Sequence, residues 1–384
     1  MREIYLDNAA TTAVLPEVAD AMRPYLTEIY GNPSSLYSIG QKGKRALEGS
    51  RNEVASAIEA EPEGIIFTSG GTESDNLAIK GFAYANSDRG RHLVTSPIEH
   101  HAVLNVFHEL EKQGFEVSYL PVDRYGMVDP EAVKKIIRPD TILISIMLAN
   151  NEIGTIEPLK EITALAHERG IAVHTDAVQA VGKIPVSVKE LGVDMLSLTA
   201  HKIYGPKGTG ALYKREGIKL APLFEGGHQE KILRPGTENI PGVVGLATAL
   251  RLATGNLDTE AAKISALRDR LESGILSRID NVTLNGHSQQ RVSNISSLNF
   301  AFLEGEALLL ALDTRGIAVS TASACSADSD EPSHVLTAIG LDPVTARGTL
   351  RFSLGINNTS EEIDYVIDAV ADAAEQLRQL SPMR

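Results

Sequence analysis

Along the first two thirds of the chain, short apolar runs alternate with longer amphipathic ones. The runs "GIIFTS" (64–69), "RHLVTS" (91–96), "EVSYLPV" (116–122), "TILISIML" (141–148), "IAVHTDA" (171–177), "DMLSLTA" (194–200) and "GALYK" (210–214) have the length and composition of strands. Between them, "TESDNLAIKGFAYA" (72–85), "HAVLNVFHELEKQG" (101–114) and "LKEITALAHERG" (159–170) read as helices. The last places Ile162, Leu165 and Ala166 at i, i+3, i+4 and stops at Gly170. Such alternation predicts an α/β fold with a mainly parallel, seven-stranded sheet covered by helices. Continuous apolar runs such as "TILISIML" fit strands buried on both faces.

Near residue 256 the rhythm changes. "NLDTEAAKISALRDRLESGILSRI" (256–279) reads as one long amphipathic helix, followed by the strand-like "ISSLNFAFL", the helical "GEALLLALDTRG" and the strand-like "GTLRFSLG". The final helix, "SEEIDYVIDAVADAAEQLRQL", is expected to use Ser360 as N-cap, with Glu361, Glu362 and Asp364 in an acidic first turn. The pattern predicts a large domain over 13–256. A smaller α+β domain is expected from 257–384 together with residues 1–12.

Composition narrows the classes. The chain has 384 residues, 43% of them hydrophobic, and a net charge of −14, so neither nucleic acid nor an anionic membrane is an expected partner. A single cysteine, Cys325, excludes an intramolecular disulfide framework and any multi-cysteine metal site built by this chain alone. No resident metal is expected. "TILISIMLA" falls far short of the ~20 residues of a membrane helix, and "MREIYLDNAATT" lacks a signal-peptide core, so a cytoplasmic enzyme is expected.

Three stretches could carry chemistry. In "FTSGGTESDN" a strand runs through Gly70, Gly71 and Thr72 into a helix, which makes either a phosphate cradle or a simple turn. It is neither GxGxxG nor a P-loop, so dinucleotide or ATP binding gains no support. In "VHTDAVQA", Asp176 ends an apolar strand, where open α/β sheets place ligands and where a capping aspartate also occurs. In "SLTAHKIYGPKG", Lys202 follows another strand, with glycines to fix its loop; a partly desolvated lysine there can form a Schiff base. Phosphate cradle, acid and amine together are what pyridoxal 5'-phosphate requires. His108–Glu109 does not continue into HExxH, so a zinc protease is unsupported.

The motifs "YLDNAATT", "GNPSS", "FTSGGTESDN", "PIEHHAVL", "NNEIGT", "HTDAVQA", "AHKIYGPKG", "GGHQEKILRPGT", "SACS" and "LRFSLG" occur in this order over nearly the whole chain. In them the chain resembles the fold-type-I pyridoxal-phosphate enzymes, and among these the cysteine desulfurases of the NifS/IscS type. The resemblance implies a Schiff base on Lys202, Asp176 at the pyridine nitrogen, and His100 stacked on the ring and moving protons. It places Gly71, Thr72, Thr199 and His201 at the phosphate, Gln179 at the ring oxygen and Asn151 beside cofactor and substrate. Thr237 would reach the phosphate of a neighbouring subunit, which implies a homodimer. Arg351 would bind the substrate carboxylate, a ligand that suits its fork.

Cys325 would attack the sulfur of L-cysteine, release L-alanine and keep a persulfide. An iron–sulfur scaffold protein or a tRNA-thiolation relay would then accept the sulfur; Cys325 could also serve as a transient cluster ligand. The small residues of "STASACSADSDEP" (320–332) offer few apolar anchors, so this loop is expected to move between cofactor and acceptor. Asp328 and Asp330 would raise the thiol pKa, so activation is expected from the site itself. Ala13, Tyr37 and Pro235 depart from the family pattern, the last two residues before Thr237. Two alternatives stay open at this point. One is another fold-type-I enzyme, such as a selenocysteine lyase or a small-amino-acid aminotransferase. The other is a binding protein that kept the fold without the reaction.

Overall fold

The computed structural model describes residues 3–321 and 332–380. Thirteen strands are named here: β1 (Ile4–Tyr5), β2 (Ile65–Thr68), β3 (His92–Thr95), β4 (Glu116–Tyr119), β5 (Thr141–Ser145), β6 (Ala172–Asp176), β7 (Met195–Thr199), β8 (Gly210–Lys214), β9 (Val282–Asn285), β10 (Ile295–Phe300), β11 (Ile317–Ala318), β12 (Ser320–Thr321) and β13 (Thr349–Ser353). Seven of them form one sheet in the order β2-β8-β7-β6-β5-β3-β4. Only β8 runs against the rest, antiparallel to both β2 and β7. The expected sheet is present, mixed by this one strand.

Alternation along each strand feeds two cores. Ile65, Phe67, Val94, Ile144, Val173, Leu196 and Ala211 face one layer, packed with helices that include Ser38–Ala57 and Ile240–Gly255. Ile66, Leu93, Leu143, Ala172, Met195 and Leu212 face the other, against helices Gly71–Ala85 and His101–Lys112. This is the period of two expected of a sheet covered on both sides. The edge strand β4 alone is half-exposed along its length.

A second, antiparallel sheet has the order β12-β13-β10-β9, and β1 pairs with β11 in parallel. Its core joins Ile4 and Leu6 to residues of β10, β13 and the helices Leu257–Arg278 and Ser360–Leu380, with Phe300 and Phe352 fully buried. The helix over 159–170 runs from Leu159 to His167 and ends where Gly170 takes φ 68°.

The expected cap of the last helix is corrected. Thr359, not Ser360, is the N-cap: its hydroxyl accepts from the Glu362 N–H at 3.2 Å. The Glu362 carboxylate accepts from the Thr359 N–H at 3.3 Å in return. This reciprocal pair is a capping box. It shifts the cap by one residue because only Thr359 stands three before a glutamate that reaches back.

Candidate active site

The carboxyl ends of β5, β6 and β7 point toward the N-terminal segment Asp7–Thr12 and toward β13. A cavity of about 290 Å³ lies between them. Its walls include Gly71, Thr72, Asp75, His100, Asn151, Asp176, Gln179, Thr199, His201, Lys202 and Arg351. Residues spread over 280 positions of sequence thus share one chamber, at the sheet edge where α/β folds bind ligands.

One end is built for an anion. The helix Gly71–Ala85 starts at Gly70, whose φ of 154° few side chains tolerate. A Cβ on Gly71 would lie 2.8 Å from Val178 Cγ2, so this close approach also needs glycine. The helix N-terminus therefore presents its N–H groups and the Thr72 hydroxyl to the cavity. Thr199, the last residue of β7, and His201 approach from the next element, the short turn Ala200–Lys202.

The other end holds acid, imidazole and amine. Asp176 closes β6, accepts from the Val178 N–H at 2.9 Å, and is raised to about 6, chiefly by burial. His100 is the N-cap of helix His101–Lys112, and its Nδ1 accepts from the Ala102 N–H at 3.1 Å. The ring proton of neutral His100 therefore sits on Nε2. Burial, and then the charge of Lys202, hold this imidazole down at about 4. The amine of Lys202 donates to the Ala9 and Ala10 carbonyls, both at 2.6 Å. Arg351 lies in the middle of the second sheet, opposite Ser297 and Ser320. It donates to the Asn151 carbonyl at 2.9 Å and to Asp7 at 2.8 Å.

This donor set fits pyridoxal phosphate. N–H groups and hydroxyls suit a dianion, the carboxylate suits a protonated ring nitrogen, and the amine suits an aldehyde. Asp75 adds a buried carboxyl with one oxygen lacking any hydrogen bond, and burial plus the charge of Asp176 raise it well above the usual range.

Two expected residues lie elsewhere. Thr237 is exposed and does not line this chain's cavity. Cys325 lies outside the described residues. The chain on either side of it is anchored at the cavity: Ser320 pairs with Arg351, and the Ser333 hydroxyl donates to Glu152 at 2.5 Å, next to Asn151. Sequence reading missed Asp7, Asp75, Glu152 and Lys183. Asp7, Asp75 and Glu152 stood inside quoted motifs without a role, and no local pattern marks a carboxylate as facing inward.

The sheet order, the aspartate ending β6 and the lysine following β7 define a fold-type-I α/β enzyme of the pyridoxal-phosphate class. The chain belongs to the aminotransferase class-V family, which it matches over residues 4–366. It is 54% identical to "Cysteine desulfurase IscS" of Methanosarcina thermophila, over the whole of this chain and 94% of that protein. It is 53% identical to the protein of the same name from Dictyoglomus turgidum, again over the whole chain and 97% of that relative. A solved structure titled "NIFS-LIKE PROTEIN" superposes with a TM-score of 0.93 at 39% identity, covering 98% of this chain and 100% of the other.

Proposed function

We propose that this chain is a pyridoxal-phosphate-dependent cysteine desulfurase. L-cysteine and the thiol of Cys325 give L-alanine and a Cys325 persulfide. The substrate C–S bond breaks, an S–S bond forms, and the thiol proton is balanced by the proton gained at the alanine methyl. The observation that carries the reading is the single chamber holding Lys202, Asp176, His100, Arg351 and the Gly71–Thr72 cradle. Full-length similarity to proteins named cysteine desulfurase supports it.

Bound cofactor supplies an electron sink for the pair left at the substrate Cα. The chain's own groups do the rest. Gly71, Thr72, Thr199 and His201 hold the phosphate, Asp176 faces the ring nitrogen and Gln179 the ring oxygen. Lys202 would hold the aldehyde; once the substrate amine has taken its place there, the freed Lys202 amine would take the Cα proton. His100, with its proton on Nε2, returns a proton to product. Arg351 grips the substrate carboxylate and Asn151 orients the amine side. Cys325 receives the sulfur; of the described residues on either side of it, Ser320 pairs with Arg351 and Ser333 donates to Glu152.

The same reading includes a homodimer, in which Thr237 completes the neighbour's phosphate site. Leu26, Tyr30, Leu36, Tyr37, Phe224 and Ile232 are all exposed, and Leu36 is 93% exposed, as expected of a surface awaiting a second copy. A core of its own, built from Ile4, Leu6, the second sheet and the helices Leu257–Arg278 and Ser360–Leu380, supports a division into 13–256 and the pair 1–12 with 257–384. Ala9, Val292 and Ile295 pack into the large core, and a further cluster joins Ile98, Met147 and Ile153 to Val335, Leu336, Ile339 and Ala346 across that division. The sulfur acceptor is an iron–sulfur scaffold protein or a tRNA-thiolation relay, and the location is the cytoplasm. No helix among the described residues is long and apolar enough to cross a membrane.

The deciding experiment incubates the loaded protein with L-cysteine and looks by mass spectrometry for alanine and for 32 mass units, about one sulfur atom, on Cys325. Sulfide release that survives intact in Cys325→Ala would sink the persulfide route.

A further inference from the structure

A second cavity, of about 260 Å³, lies between the two hydrophobic cores, and Lys183 and Lys202 are both in its wall. Lys183 follows Gly182, whose φ is 74° and whose Cβ would lie 2.8 Å from Ile203 Cγ2. The backbone is thus fixed at a position only glycine fills, and the lysine is aimed accordingly. Its amine donates to the Gln179 Oε1. Among the described residues no carboxylate lies within ion-pair distance of it. Burial, then the like charges of Lys202 and Arg351, push the amine down to about 7. Glu17 and Glu260 share the cavity wall. Lys183 is half-buried in this wall and lacks a paired carboxylate among the described residues, and amines depressed in this way gather at functional sites.

The consequence lies in the Gln179 side chain. An amide can turn over with little change of shape, exchanging its donor and acceptor ends. An ammonium can only donate, so Lys183 forces the Gln179 oxygen toward itself. The Gln179 nitrogen must then face the other way, where it donates to the Ala9 carbonyl at 2.9 Å. Lys202 donates to that same carbonyl at 2.6 Å. A continuous path runs from Lys183 through Gln179 and Ala9 to Lys202. One N–H of Gln179 remains for the first cavity, which Gln179 also lines.

We infer that Lys183 is a positioning residue: it sets the Gln179 amide with its N–H toward the cofactor's ring oxygen and aligns the Lys202 amine through Ala9. The inference rests on the proposed contact of Gln179 with the cofactor. Lys183 touches neither cofactor nor substrate in this scheme and acts through another side chain.

The test is a double-mutant cycle on full-length protein, read as the dissociation constant of pyridoxal phosphate and as the pH dependence of its absorbance in the loaded protein without substrate. Lys183→Met should weaken cofactor binding roughly fivefold, about what one ordinary hydrogen bond contributes, and displace the absorbance titration. In a Gln179→Ala background the same change should have no further effect. Lys183→Arg, which still donates to the amide, should restore most of the affinity. Equal weakening in both backgrounds, or none in either, overturns the inference. Should Lys183→Met fail to fold, Lys183→Gln, which carries no charge to dictate the orientation of the Gln179 amide, takes its place in the same cycle. If Gln179→Ala alone leaves binding unchanged, the ring contact is wrong and the inference falls with it. Alanine formation from L-cysteine then shows independently whether the desulfurase reading stands.

Discussion

A buried ion pair between Arg51 and Glu230 helps to fix the segment from Glu230 to Thr237, and Arg51→Met tests what that pair contributes. Arg51 donates to the two Glu230 carboxylate oxygens at 2.7 and 2.9 Å and to the Ile65 carbonyl at 2.8 Å. The side chains are 8% and 3% exposed, and the guanidinium stands 4.8 Å over the Phe67 ring. Glu230, Lys231 and Ile232 have φ of 41°, 60° and 71°, three left-handed residues in succession and none a glycine. Each costs on the order of 1–3 kcal/mol and persists only where surrounding contacts impose it. Removing Arg51 leaves Glu230 buried with the Phe67 N–H as its one remaining donor in this network. Breaking a buried pair from one side costs about 3–5 kcal/mol. Arg51→Met should therefore lower the urea-unfolding free energy by that amount, followed by circular dichroism at constant pH. Adding Glu230→Gln removes the stranded charge and should recover at least ~1 kcal/mol. The same segment carries Arg234, paired with Glu73 at 2.9 Å beside the phosphate cradle, so cofactor affinity should fall together with stability. A single variant within ~1 kcal/mol of wild type, or a double variant less stable than the single, would refute the reasoning.

Gly71→Ala should weaken cofactor binding, because its Cβ meets Val178 Cγ2 at 2.8 Å; Val178→Ala in the same chain should restore much of it, and unchanged binding in Gly71→Ala would disprove the close approach. Thr359→Ala should cost about 1 kcal/mol, as for other lost N-caps, and Ser360→Ala clearly less; thermal melts of the two variants distinguish the caps. Glu157 is buried and raised to about 8 from 4.5. A carboxyl whose folded value is raised gives its full stabilisation below its unfolded value, and that contribution disappears as pH rises through the folded value. Glu157→Gln should accordingly lose less stability than wild type between pH 4.5 and 8, measured as melting temperature against pH.

The strands of the large sheet were legible because they are short, apolar and bounded by turn residues. "DMLSLTA" became β7, trimmed by one residue at each end, and "TILISIML" became β5 without its last three residues. The cap of the last helix was misplaced because Thr359 and Ser360 are both capping residues and only geometry chooses between them. Lys202 and Asp176 stood out because one follows a strand and the other ends one; His100 came from the resemblance, and its place as a helix N-cap emerges only in the structure. Asp7 and Lys183 did not: one meets Arg351 across 344 residues, and the other is significant only through the amide it holds. Such roles arise from tertiary placement, which no local pattern encodes.

The bond between Asp7 and Arg351, like the bridge between Asp7 and Ser353, joins the start of the chain to one of its last strands. During synthesis, the contacts of Asp7 with Arg351 and Ser353 cannot form until β13 has left the ribosome, although Ala9, Ala10 and Thr12 already have partners in Gln179, His201 and Lys202. At about 5–20 residues per second, that wait is roughly 20–70 seconds. Through that interval the large sheet can form while the chamber still lacks a wall. A cofactor reaching the growing chain would meet its phosphate cradle and amine well before the arginine. Assembly order therefore makes this a site whose phosphate end is ready first and whose substrate-carboxylate end is finished by β13.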